Sequence, residues 1–160
     1  MMIVRENEMY GKDVRFTGND ISLAATMLDK LSTTIEIIYY LMNRREERSF
    51  VVMLISSDEF DVGKIVKEQK RNTDILFKLD EERSIYAIIC QDTKIDGGYR
   101  FAERVMHHLR ENEVKEPYCV ELEIRNTTYD IKYIIFKLME IYIETKENKR
   151  SNEIVFKSLH

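Results

Sequence analysis

Apolar positions along the chain change period several times, and each change marks an element. From Asn19 or Asp20, read as the capping residue, Ile21, Leu23, Ala24, Met27, Leu28 and Leu31 recur at helical spacing. Ile35, Ile38, Tyr39 and Leu41 continue the pattern, with a pause at Ser32-Thr33-Thr34 that allows a split in two, and Asn43 to Arg48 form a charged, solvated end. Phe50 to Ile55 is an unbroken apolar run of six, the signature of a strand covered on both faces. Asp61 to Arg71 has room for one or two helical turns. Asp74 to Leu79 and Ile85 to Cys90 flank the acidic turn Asp80 to Arg83 and predict a hairpin. Asp96 caps a predicted helix over Gly97 to Arg110, with Phe101, Val105, Met106 and Leu109 on its buried side. After Pro117, Tyr118 to Ile124 alternates like a strand with one wet face. A helix over Asp130 to Lys146 and a strand over Glu153 to Phe156 close the pattern.

This order predicts an α+β fold, a central, mainly antiparallel sheet covered by helices, of the ferredoxin-like or palm type. Residues 1–19 are read as an arm or as short strands at Met2 to Val4 and Val14 to Phe16, and residues 20–160 as one domain without repeat or linker. At 160 residues, 44% of them hydrophobic and 34% charged, the chain has the composition of a globular domain that needs no disulfide or structural metal. No apolar run reaches membrane-spanning length, and Arg5, Glu6 and Glu8 interrupt any signal-peptide pattern, so a cytoplasmic location without membrane insertion is expected. Cys90 and Cys119 sit in strand-like runs and are expected as buried free thiols. A net charge of -4 argues against a nucleic-acid polymer as partner but leaves room for a small anion at a local basic site. With five glycines and one proline, the glycine-rich phosphate loops are absent. His107 and His108 are adjacent on a helix, which is the wrong spacing for a shared metal ion.

The order and wording of the segments over residues 20–157 resemble the GGDEF (diguanylate cyclase) family in a degenerate form. Phe50 to Phe60 stands where the family has a buried strand running into D-x-D-x-F-K; Asp58 and Phe60 match, whereas Ser56 replaces the metal-binding Asp and Asp61 the Lys. Thr145 to Asn152 echoes the family's closing A-K…G-R-N segment. Ser57-Asp58-Glu59-Phe60 has the signature's letters but follows the first strand. The hairpin turn that should carry the signature reads Asp80-Glu81-Glu82-Arg83-Ser84, without either glycine. About twenty residues that the family has between the D-x-D-x-F-K segment and the hairpin, among them the Asn and Asp that hold the guanine base, are also missing, since only Asp61 to Arg71 fills that space. The resemblance therefore implies a domain with no catalytic residues, no metal ligands and no cofactor. Asp80, Glu81 and Glu82 together are read as a solvated acidic turn.

One family feature remains. Arg71-Asn72-Thr73-Asp74 matches the R-x-x-D motif of the inhibitory site for cyclic di-GMP, and Ile75 to Leu79 separates it from the turn by the family's five residues. An Arg fork grips a phosphate or a guanine edge bidentately, and a carboxylate accepts from guanine N–H groups. Lys78 falls where the family commonly has an Arg, and Lys70 adds positive charge nearby. The expectation is a non-catalytic receptor that binds cyclic di-GMP through Arg71, Asp74, Lys78 and Lys70 and passes occupancy to a protein partner. The alternative is a ligand-free scaffold for protein interaction or self-association, with Arg71 and Asp74 an ordinary surface pair.

Overall fold

The computed structural model describes residues 15–44, 49–80 and 82–159. The expected strand at Met2 to Val4, residues 45–48 of the charged run and Glu81 lie outside them; Arg15 and Phe16 carry no strand. The elements are α1 (Gly18–Asn43), β1 (Phe50–Ser56), α2 (Gly63–Gln69), β2 (Asp74–Asp80), β3 (Ile85–Gln91), α3 (Ile95–Glu111), β4 (Tyr118–Ile124), α4 (Ile131–Glu147) and β5 (Ile154–Leu159).

β1 lies at the centre of a five-stranded sheet of order β2-β3-β1-β4-β5. It pairs antiparallel with β3 (Met53 opposite Ile88) and with β4 (Met53 opposite Glu121). β2 pairs antiparallel with β3 with a register shift between Lys78 and Asp80, and β5 joins β4 in parallel. The unbroken apolar run of β1 is explained by this position, because its alternate residues serve two cores. Phe50, Val52 and Leu54 pack with Leu31, Ile35, Leu138 and Tyr142 of α1 and α4. Val51, Met53 and Ile55 pack with Val66 of α2 and with Phe101 and Val105 of α3. The expected α+β architecture, with a mainly antiparallel sheet between helices, is the one observed.

Local expectations were met unevenly. α1 begins earlier than Asn19, because Thr17 is the N-cap: its hydroxyl accepts from Asp20 N–H at 3.2 Å and its own N–H donates to Asp20 Oδ2 at 2.9 Å. The helix runs through Ser32-Thr33-Thr34 without a break, and Ser32 Oγ donates to the Leu28 carbonyl within it. α3 starts at Ile95 with Lys94 at the cap position, and Asp96 lies in its first turn. The capping role goes to a distant residue, since Ile95 N–H donates to Glu123 Oε2 at 2.8 Å. β4 has no wet face: all seven of its residues are buried, including Glu121 and Glu123, beneath α3 and beside β5. Gly98 lets α3 come close there, because a Cβ on it would stand 3.1 Å from Val51 Cγ2 and 3.2 Å from Glu121 Oε2. Glu123 is satisfied by Ile95 and by Ser158, whose hydroxyl donates to Oε1. Glu121 has neither oxygen hydrogen-bonded, and burial pushes its carboxyl up to about 8.

Candidate functional site

Arg71 stands between α2 and β2, and Asp74 opens β2. Their backbones close a turn, with Asp74 N–H donating to the Arg71 carbonyl at 3.1 Å and Arg71 N–H donating to Asp74 Oδ2 at 2.8 Å. The side chains then bond across that turn. Arg71 Nε donates to both Asp74 oxygens, at 3.1 and 3.2 Å, and Nη2 donates to Oδ1 at 2.8 Å. Nη2 also reaches the Gln91 carbonyl at 2.9 Å and Thr93 Oγ1 at 2.6 Å, just past the end of β3. All of these bonds use Nε and Nη2, so the guanidinium is held at one edge by a rigid corner of the sheet. The exposures differ sharply, with 49% for the Arg71 side chain and 1% for that of Asp74. The hydrogen bonds to Asp74 keep Arg71 firmly in its charged form.

Arg71 and Asp74 line a concavity of about 340 Å³ together with Thr93, Arg100, Phe101 and Arg104. Arg100 and Arg104 are one turn apart on α3, so three arginines line one space. Arg104 lies over the Phe101 ring, 5.4 Å from its centroid. Cys90 forms part of the floor; burial first, then the Asp74 carboxylate, push its thiol well up, so it is an inert neutral group. Cys119, fully buried, is pushed up by the same cause, and both cysteines are free, as expected. A concave site walled by arginines, with its one carboxylate neutralised, suits a phosphate or another anion with several acceptor oxygens.

The other expected ligand contacts do not line this concavity. Lys70 braces the corner from behind, its Nζ donating to the Asp74 carbonyl at 3.1 Å. Lys78 lies over the Tyr86 ring, 5.9 Å from its centroid, and its charge helps to lower the nearby Asp61 carboxyl. The larger causes of that lowering are the hydrogen bonds from Tyr86 Oη (2.6 Å) and Gly63 N–H (3.0 Å). Arg71 and Asp74 were legible as a pair three residues apart. Arg100, Arg104 and Thr93 were not singled out. The i, i+4 arginine pair on an amphipathic helix is the signal that could have found the first two, whereas the Thr93 hydroxyl had none.

The resemblance implies a divalent cation near Ser56 in catalytic relatives. Here the Ser56 hydroxyl is buried and hydrogen-bonded to Tyr142 Oη at 2.7 Å, and burial pushes Tyr142 up to about 12. Asp58 is exposed and lies 3.6 Å from Lys146 Nζ. At the hairpin, Asp80 Oδ2 accepts from Arg83 Nε at 2.6 Å and Oδ1 from Arg83 N–H at 3.0 Å. Ser84, where the resemblance calls for a signature turn, takes the left-handed backbone (φ 49°) and its Oγ accepts from Val62 N–H. This donor set does not fit a divalent cation. Among the described residues no three His, Cys, Asp or Glu side chains gather as a metal site.

No family model matches the sequence. No curated protein matches it. Solved structures do match, among them the diguanylate cyclase SiaD in complex with its activator SiaC from Pseudomonas aeruginosa. The identity is 12% with a TM-score of 0.57, over 79% of this chain and 57% of that one. The chain thus spans little more than half of that cyclase, and what they share is the fold, a GGDEF-like palm. Among the described residues no helix is long and apolar enough to cross a membrane.

Proposed function

We propose that this GGDEF-like domain is a non-catalytic receptor for cyclic di-GMP, which it binds in the arginine-walled concavity, and that occupancy is passed to a protein partner. The observation that carries the reading is that Arg71, Arg100 and Arg104 line one concavity, with Arg71 held in advance by Asp74, Gln91 and Thr93. Preorganised guanidinium groups lose little freedom on binding and match phosphodiester oxygens. The absence of turnover is supported by the buried, hydrogen-bonded Ser56 at the metal position and by the glycine-free turn, whose Asp80 is paired with Arg83. Lys70 acts on the ligand through the Asp74 corner, and Lys78 lies outside the contact set.

Calorimetric titration of cyclic di-GMP into the purified protein tests the proposal, with Arg71→Ala alongside. Low-micromolar binding that disappears in the variant is the expected result. No heat at about 100 µM ligand, a standard free energy weaker than roughly −5.5 kcal/mol, overturns it. The scaffold reading has one observation of its own. Phe16, Ile21, Leu28 and Phe136 line an apolar groove of about 410 Å³ between α1 and α4, with Ile21 59% exposed. SiaD is seen in complex with a protein activator, and a titration-silent protein here would direct attention to that groove.

A further inference from the structure

A carboxylate that reads guanine must accept from the N1–H and N2–H edge of the base. Asp74 has no capacity left for this. Its side chain is 1% exposed, Oδ1 accepts from Arg71 Nε and Nη2, and Oδ2 accepts from Arg71 Nε and N. The arginine concavity therefore grips phosphate without reading a base, and Asp74 serves it as a positioning residue.

Next to it is a second concavity of about 430 Å³, lined by Ile95, Asp96, Tyr99, Arg100 and Phe156. Arg100 belongs to both walls, so the two spaces adjoin at that side chain. Asp96, Arg100 and Arg104 follow one another at i, i+4 and i+8, a single row along α3 that runs from one space to the other. Phe156, on β5, is 47% exposed, and the Tyr99 ring meets it edge-on with centroids 5.4 Å apart. Asp96 is exposed in the first turn of α3. Two aromatic rings, a guanidinium plane and an accessible carboxylate around a mainly apolar space are the groups that stack on a purine and read its donor edge.

We propose that this second concavity holds the purine base of the ligand whose phosphate occupies the arginine concavity. Phe156 and Tyr99 form the stacking platform, Arg100 spans base and phosphate, and Asp96 accepts from the guanine edge. The inference rests on the reading of the arginine concavity as a phosphate site, and the test separates the two. Calorimetry on the full chain compares cyclic di-GMP, cyclic di-AMP and inorganic pyrophosphate, and circular dichroism verifies that each variant stays folded. Phe156→Ala is expected to weaken cyclic di-GMP roughly tenfold, the scale of one lost base stack, and to leave pyrophosphate unchanged. Asp96→Asn is expected to narrow the preference for cyclic di-GMP over cyclic di-AMP, whereas Arg71→Ala removes all three ligands. Cyclic di-GMP binding that survives both Phe156→Ala and Tyr99→Ala yet fails in Arg71→Ala overturns the base site alone. Pyrophosphate binding with no dinucleotide binding also overturns it and leaves an anion site. No binding of any of the three overturns both readings.

Discussion

Replacing Glu121 by Gln should flatten the dependence of stability on pH. The carboxyl is fully buried on β4 under Gly98 of α3, and neither oxygen has a hydrogen-bond partner. Desolvation raises it from 4.5 to about 8, so the folded protein keeps the proton over an interval in which the unfolded chain has released it. The folded state binds more protons there, and stability falls as pH rises, by about 1.4 kcal/mol per pH unit. The contribution is fully present below pH 4.5 and is exhausted once pH passes about 8. By pH 7 the wild type has lost about 3 kcal/mol from this one group, a large share of a typical domain's stability. Gln fills nearly the same volume and has no proton to release, so its cost, about 1 kcal/mol for the extra buried donors, is independent of pH. Urea unfolding of both proteins at pH 5, 6, 7 and 8 checks this. The variant should be equal or slightly weaker at pH 5 and clearly more stable at pH 8. Parallel stability curves across that range would refute the assignment of Glu121 as a buried neutral acid.

Three further outcomes are expected. Gly63→Ala puts a Cβ 2.4 Å from Tyr86 Cζ and Oη, and displacing that ring from Asp61 should cost about 1–3 kcal/mol in urea unfolding. Thr17→Ala removes the capping box of α1 and should cost about 1 kcal/mol, read as a lower denaturation midpoint with an unchanged slope. Cys90 and Cys119 should resist a thiol-specific reagent in the native protein and react once it is unfolded; rapid labelling of the folded state would contradict their burial.

What the sequence revealed depended on how local the cause was. β1 was readable because six consecutive apolar residues leave a strand no solvent face, and the hairpin because its acidic turn lies between a largely apolar segment, β2, and a second unbroken run, β3. β4 was misread for a reason equally physical. Glu121 and Glu123 alternate with apolar residues as if facing water, yet Glu123 faces the first turn of α3 and Glu121 lies under Gly98. Alternation records polarity and does not tell whether a polar group meets solvent or a distant donor. The same limit applied to Asp96, expected as a cap while the cap came from Glu123, 28 residues along the chain. Within the site, Arg71 and Asp74 were visible as a pair, but their spacing does not tell that Asp74 would be buried against Arg71, or that Arg100 and Arg104 of α3 would line the same space.

The tie between α3 and β4 also bears on the order in which the molecule is built. Glu123 is joined to Ile95 across 28 residues and to Ser158 across 35, on a strand that pairs with β4 in parallel register. Contacts of such separation must overcome loop-closure entropy and tend to form after the hairpins. Phe101 and Val105 already pack α3 on β1, so it is the first turn of the helix, at Ile95, that is fully tied down only when β4 and the last strand have docked. A chain folding as it leaves the ribosome would finish its sheet centre early and leave the first turn of α3 loosely held until residues near Ser158 are in place. The first turn of α3 should thus set late in maturation, and a nascent chain halted before β5 should be compact at its core yet frayed at Ile95.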